Sequence, residues 1–356
     1  MRSETVYWEA QKNPIKPSPG FVKKGLSDYH LELSAKCQYE CTYCSSNLGT
    51  YLRMNWNRIK ETTGQQLGHV MLPGRNIGFN IQYTNLIPNL RRQAETEGES
   101  FGEGKTLVFS MLTDAFSPYL LQQRITNDAL EILLDRTSFR IRVLTKNAAV
   151  GSPQWVDFFK SYKDRFVVGL SVGTLDNEWA RKVEIGTSPP TKRTEALRRL
   201  QDAGVPTFGM LCPVFPTNYA RLPKLKELVD SIRPHYSEEV WAEPYNDRVN
   251  WKHVRDGFEE GSSDWETINE MFSSSNKRQN VNCRETWSKY ATNLLLDVRD
   301  IARKEDWIGR LNFLLYEHDV TENDAERIED LEGVMLQSVD KDDRSKKPYF
   351  AKMQNL

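Results

Sequence analysis

Cys37, Cys41 and Cys44 fall in one short loop and account for three of the chain's five cysteines. Thiolates bind soft metals, and the Cys-x3-Cys-x2-Cys spacing lets three sulfurs converge on one centre while a fourth corner stays without a protein ligand. On the residues alone other chemistries stay open. A structural zinc needs a fourth protein ligand, and Cys212, Cys283 and every histidine except His30 lie far off in sequence. A disulfide fits poorly with an odd cysteine count and with an N-terminus that lacks the apolar stretch of an export signal. An iron–sulfur electron carrier would draw its fourth ligand from a remote segment.

The elements around the loop must position it. Residues 29–34 read as an extended run that feeds straight into the cysteines, and residues 55–70 as a helix that follows them. From residue 106 a rhythm sets in, with strands expected at 106–112, 140–145, 166–172, 206–211 and 239–243. Helices are expected between them at 120–135, 154–162, 191–203 and 222–232. With the strand before the cysteines this makes six βα repeats of about 30 to 40 residues, which implies a parallel sheet with right-handed crossovers. A doubly wound sheet has the same local pattern. Polar residues gather at the C-terminal strand ends, where barrel enzymes build their sites, and this favours a partial (β/α)6 TIM-like barrel. Those residues are Ser110, Thr113 and Asp114, then Thr145 and Lys146, Ser171 and Thr174, Cys212, and finally Glu243 and Asn246. Such groups commonly cap the next helix; together they would also suit a small ligand with an ammonium, a carboxylate and hydroxyls.

The cysteine spacing, with the aromatic Tyr43 before Cys44, resembles that of radical S-adenosylmethionine (SAM) enzymes. The stretches Leu170-Ser171-Val172-Gly173-Thr174, Glu184 to Ser188, Lys192 to Ala196 and Cys212-Pro213 are similar to the spore photoproduct lyase family among them, as are Thr113-Asp114 and Thr145-Lys146. The likeness covers roughly residues 30–245. It implies a radical SAM barrel in which Cys37, Cys41 and Cys44 hold a [4Fe-4S] cluster whose fourth iron takes SAM. By the same resemblance Lys146 and Ser171 contact SAM; the strand-end residues Ser110, Thr113, Asp114 and Thr174, and the family position Glu184, are further cofactor-binding candidates. Flavodoxin or ferredoxin is the implied electron donor, and a thymine lesion in DNA the implied type of substrate.

Two parts of that family's hydrogen relay are missing. Ser45 stands after Cys44 where a tyrosine is expected, and Leu112 replaces a cysteine before Thr113. Tyr43 remains, and Cys212 or Cys283 offers a substitute thiol. An enzyme that takes its hydrogen back from 5′-deoxyadenosine needs no relay, which suits an isomerase-like rearrangement of a thymine-type base in DNA, as in phage thymidine hypermodification. Alternatives are repair with a different hydrogen donor, radical chemistry on a peptide or small molecule, and a zinc- or cluster-stabilised DNA-binding protein.

The remaining sequence sets bounds. At 356 residues and 38% hydrophobic the chain has material for one large domain with an appendage. Its 48 basic and 49 acidic side chains create no global field for nucleic acid, so a DNA partner needs a local patch. Candidates are Lys23, Lys24, Arg91, Arg92, Arg198, Arg199 and the basic tail 341–352, with Trp241, Trp251 or Trp287 to stack a base. No apolar run is long enough to span a bilayer, so a soluble, cytoplasmic protein without a membrane partner is expected. The expected organisation is an irregular arm at 1–28, the barrel at 29–245 and an α+β extension at 246–356, the last with strands at 311–316 and 334–338.

Overall fold

A computed structural model describes residues 4–22, 25–46, 50–72, 79–110, 112–219, 222–246, 250–273, 284–314, 320–329 and 351–352. Its strands are β1 (Glu4–Glu9), β2 (Lys16–Pro17), β3 (Tyr29–Leu31), β4 (Glu40–Cys41), β5 (Phe79–Thr84), β6 (Thr106–Phe109) and β7 (Arg140–Thr145). They continue with β8 (Phe166–Ser171), β9 (Glu184–Ile185), β10 (Thr207–Val214), β11 (Glu239–Pro244), β12 (Leu311–Phe313) and β13 (Ala351–Lys352). Among the described residues the main sheet runs β13-β12-β11-β10-β8-β7-β6-β3-β2. From β3 to β12 every pairing is parallel. Strand order follows chain order without reversal across this span. A doubly wound sheet reverses at a switch point, so the arrangement is an unclosed barrel with α/β connections, as the repeat pattern implies.

Composition explains why the strands sit where they do. Every residue of β8, Phe-Val-Val-Gly-Leu-Ser, is buried, as befits a parallel strand covered on both faces. The helix Pro190–Asp202 starts with proline, whose missing N–H costs nothing in a first turn, and buries Ala196, Leu197 and Leu200. It stops at Gly204, whose φ of +76° suits a residue without Cβ.

Three features depart from the expected layout. The N-terminal segment read as irregular contains β1, which pairs in parallel with β5. Val6, Trp8, Phe79 and Ile81 form a small second core with Ala35, Ile59, Met71 and Leu72. The alternation in Glu4–Glu9 is short and its partner lies about seventy residues away, so periodicity could not reveal the pairing. In the C-terminal part, β12 joins β11 in register, Val240 opposite Leu311, and so continues the main sheet. The expected strand at 334–338, most of the basic tail, Lys23, Lys24 and Cys283 lie outside the described residues. Among the described residues no helix is long and apolar enough to cross a membrane.

Candidate functional site

At the C-terminal strand ends a cavity of about 720 Å³ opens, lined by Cys37, Cys41 and Cys44 on one side and by Cys212, Glu243 and Asn246 on another. The cysteine loop is fastened to two neighbours. Ala35 N donates to Ile81 O at 2.9 Å and Gln82 Nε2 to Leu33 O at 2.9 Å, which ties its entry to β5. In its middle, β4 and β9 form an antiparallel ladder that sets Cys41 opposite Glu184. Lys36, almost wholly buried, donates to Glu40 Oε1 at 2.7 Å and to Cys37 O at 3.1 Å.

Burial raises the thiols of Cys37 and Cys41 above their ordinary range. The charge of Asp114 adds to the first shift, and the Lys146 ammonium opposes the second. Such thiols keep their protons until a metal replaces them. Among the described residues no three His, Cys, Asp or Glu side chains stand close enough to share a single ion.

Glu184 is the centre of the polar network behind the loop. Its carboxylate accepts from Lys146 Nζ at 2.9 Å, from Arg193 Nη2 and from the Tyr43 hydroxyl. Arg193 also donates to the Ser171 carbonyl, and Lys146 Nζ to Ser171 Oγ at 2.8 Å. Burial alone would raise the Glu184 carboxyl, but Arg193 and then Lys146 outweigh it and hold it at about 2. Arg193 is 0% exposed and Glu184 5%, so their ion pair is a buried one. Two cations against one carboxylate leave the network positive. Lys146 has used two of its three N–H donors and lines the cavity, which suits a ligand carboxylate.

The other candidate residues divide. Ser110 lines the cavity with its Oγ buried and unpartnered, a group that a ligand would satisfy. Asp114 also lines it, yet accepts from Thr145 Oγ1 at 2.7 and 2.9 Å, Lys146 N at 2.8 Å and Phe116 N at 2.9 Å. A carboxylate so engaged clasps the ends of β6 and β7 together, and that is its visible work. Thr113 gives its hydroxyl to Glu32 at 2.9 Å. Thr174 does not line the cavity; its Oγ1 donates to Asn218 Oδ1 at 3.1 Å and accepts from Asp176 N at 3.1 Å. Ser45 and Leu112 stand on the cavity wall where the two missing relay residues are expected. Cys212 lines the cavity as well, its thiol donating to Glu243 Oε2 at 3.1 Å. Burial, then the Glu243 charge, raise that thiol.

Glu243 and Asn246, grouped by the sequence only with the other strand-end residues and given no role of their own, line the cavity, as do Tyr245 and His30, which sequence reasoning left off the site. For the first two the signal was available, since both stand at the end of a barrel strand. The base-stacking candidates fare differently. Trp241 and Trp287 are 1% and 0% exposed, and Trp287 Nε1 donates to Tyr245 O at 2.9 Å. Tyr290, one helical turn on, accepts from Tyr245 N at 2.8 Å and donates to Val214 O. These aromatics fasten the cavity wall. Trp251 is half-buried under Arg255 and Lys252. Of the arginine pairs, Arg92 holds the N-terminal segment through Lys12 O and Asn13 Oδ1, while Arg91, Arg198 and Arg199 are exposed.

No family model matches the chain. It is 26% identical over 254 residues to the uncharacterized protein ORF301 of Acidianus two-tailed virus, covering 67% of this chain and 77% of that one. It is 22% identical over 214 residues to the uncharacterized protein MJ0683 of Methanocaldococcus jannaschii, covering 58% and 66% respectively. Among solved structures it is similar to a mutant spore photoproduct lyase with bound SAM and dinucleoside spore photoproduct, at a TM-score of 0.53 and 14% identity. That match covers 87% of this chain and 81% of that one. A spore photoproduct lyase complexed with the dinucleoside spore photoproduct matches at 0.52 over the same shares. The fold of this chain is therefore that of spore photoproduct lyase.

Proposed function

We propose that this protein is a radical SAM enzyme that rearranges or modifies a thymine-type base in DNA, taking electrons from a flavodoxin- or ferredoxin-type donor. The observation that carries the proposal is one shared cavity. Three thiols, the Lys146–Ser171 pair and the unpartnered Ser110 hydroxyl line it together, at the strand ends of a fold shared with spore photoproduct lyase. The donor set fits the group: Cys37, Cys41 and Cys44 would hold the cluster, Lys146 the carboxylate of SAM, and Ser171 and Ser110 would hydrogen-bond its polar atoms. When bound, cluster and SAM supply a carbon radical able to take hydrogen from an unactivated C–H. The Glu184 carboxylate, itself held by Arg193, positions the Lys146 ammonium, and the closed packing around Cys37 and Cys41 keeps water away.

Ser45 and Leu112, on the wall where a relay would stand, cannot pass hydrogen atoms, which supports return of the hydrogen from 5′-deoxyadenosine in an isomerase-like cycle with no net redox change. A second reading rests on Cys212. Its thiol shares the cavity and would give a hydrogen atom to a product radical, after which one electron from the donor protein and one proton by way of Glu243 restore it. The test is an anaerobic reaction with SAM and thymine-containing DNA in D2O. Solvent deuterium absent from the product, with SAM consumed far below one equivalent per turnover, supports the isomerase-like cycle. Deuterium incorporated in the wild type and lost in Cys212→Ala supports the thiol. Unaltered DNA together with no 5′-deoxyadenosine from SAM, with the cluster assembled, refutes the proposal.

A further inference from the structure

The Asn246 side chain stands at the end of β11, 6% exposed, and lines the cavity with both its Nδ2 and its Oδ1 buried and without a partner. Buried polar groups are nearly always paired, so two orphans on one side chain ask for a ligand. The unpartnered Ser110 Oγ in the same cavity, at the end of β6, makes a like demand that SAM meets on the reading above, whereas that reading gives SAM no contact with Asn246. A carboxamide offers one donor and one acceptor side by side, whichever way it is turned. Its complement is a group with an acceptor and a donor side by side, and a cis-amide is such a group. Pyrimidine bases with an N3–H beside a C4 carbonyl carry it on their pairing edge.

We infer that Asn246 is a specificity-determining residue that reads the N3–H/C4=O edge of a thymine-type base. The inference rests on the base-substrate reading above and deepens it. Its neighbours fit the role. Cys212 and Glu243 line the same wall, so a base held by its edge at Asn246 lies beside a thiol and a carboxylate. Tyr245, the preceding residue, is pinned through its backbone N–H by Tyr290 and its carbonyl by Trp287, which fixes where the Asn246 amide begins. Bidentate asparagine–base contacts discriminate by about 5- to 150-fold.

The experiment measures equilibrium binding of thymidylyl-thymidine, its N3-methylated counterpart and SAM to the cluster-loaded protein and to the Asn246→Ala and Asn246→Asp variants. The expected result is that wild type prefers the unmethylated dinucleotide by about tenfold. Both variants lose that preference and bind SAM as wild type does, and Asn246→Ala melts at or above the wild-type temperature. Asp preserves the shape while removing the donor, so it guards against a packing defect in Ala. Dinucleotide binding and preference unchanged in both variants would overturn the role of Asn246 and leave the base substrate standing. Weakened SAM binding would assign Asn246 to the cofactor and overturn the inference too. Failure of wild type to bind either dinucleotide while it binds SAM would refute the base substrate itself.

Discussion

Cys41 and Glu184 are backbone partners in the two-residue ladder of β4 and β9, while the Glu184 carboxylate holds Lys146, Arg193 and Tyr43. One residue therefore sets both the height of the cysteine loop and the position of the cavity's lysine. Replacing it by glutamine leaves Arg193 buried without its counter-charge, a change that costs about 3–5 kcal/mol. Chemical denaturation of Glu184→Gln should show that loss, and a shift under about 1 kcal/mol would show that the network is not structural.

Iron content separates the four cavity cysteines. Anaerobic reconstitution of wild type should give a brown protein, and Cys37→Ala, Cys41→Ala and Cys44→Ala should each fail to hold the cluster. Cys212→Ala should hold as much iron and sulfide as wild type. If Cys212→Ala also loses the cluster, the ligand set is four thiols and no iron remains open to SAM.

Lys146→Met should keep the cluster and bind SAM about 10- to 100-fold more weakly, since a charge-assisted hydrogen bond contributes about 1.5–3 kcal/mol. Ser171→Ala should weaken it less, by a few-fold. Unchanged SAM affinity in both, measured by equilibrium dialysis, would remove them from the cofactor site.

His30 predicts a pH dependence. Its Nδ1 is buried and unpartnered, and burial, with the charge of Lys16 adding, lowers its pKa from 6.5. The unfolded chain then binds a proton that the folded chain resists. The stability His30 contributes is present above about pH 6.5 and is lost as pH falls below it. Urea midpoints of His30→Gln should fall less than those of wild type between about pH 7 and pH 5. Parallel curves would mean that another group carries the dependence.

Gly173 follows β8 where the chain passes β10. A Cβ there would lie 1.8 Å from the Pro213 carbonyl oxygen, a backbone atom with nowhere to turn. Gly173→Ala should therefore destabilise by about 1–3 kcal/mol or more and displace Cys212 beside the cis Cys212–Pro213 bond. A crystal structure of the variant with Cys212 unmoved and stability unchanged would contradict this.

The barrel was legible because each of its strands is a short apolar run followed by a helix of different period, a local signal. The cysteine loop, Lys146 and Ser171 were legible for the same reason, since chemistry and strand end coincide. What escaped depends on distant partners. The β1–β5 pairing arises only when remote segments meet, and Glu184 and Arg193, nine residues apart, become a buried pair only once Tyr43 and Lys146 close around them. Thr174 looked like a ligand because a strand-end hydroxyl that caps a turn has the same sequence signature as one that binds. Asn246 was legible only as one strand-end residue among many, because an asparagine after a strand is ordinary, and its two orphaned polar atoms become visible only in the fold.

The helix Arg284–Lys304 supplies Trp287 and Tyr290, which clamp the wall bearing Asn246, whereas β5 and β9 fasten the cysteine loop. Different parts of the chain thus secure the two sides of one cavity. A lineage can exchange the residues that select its substrate by altering the C-terminal helix and the loop it grips, and inherit the cysteine side unchanged.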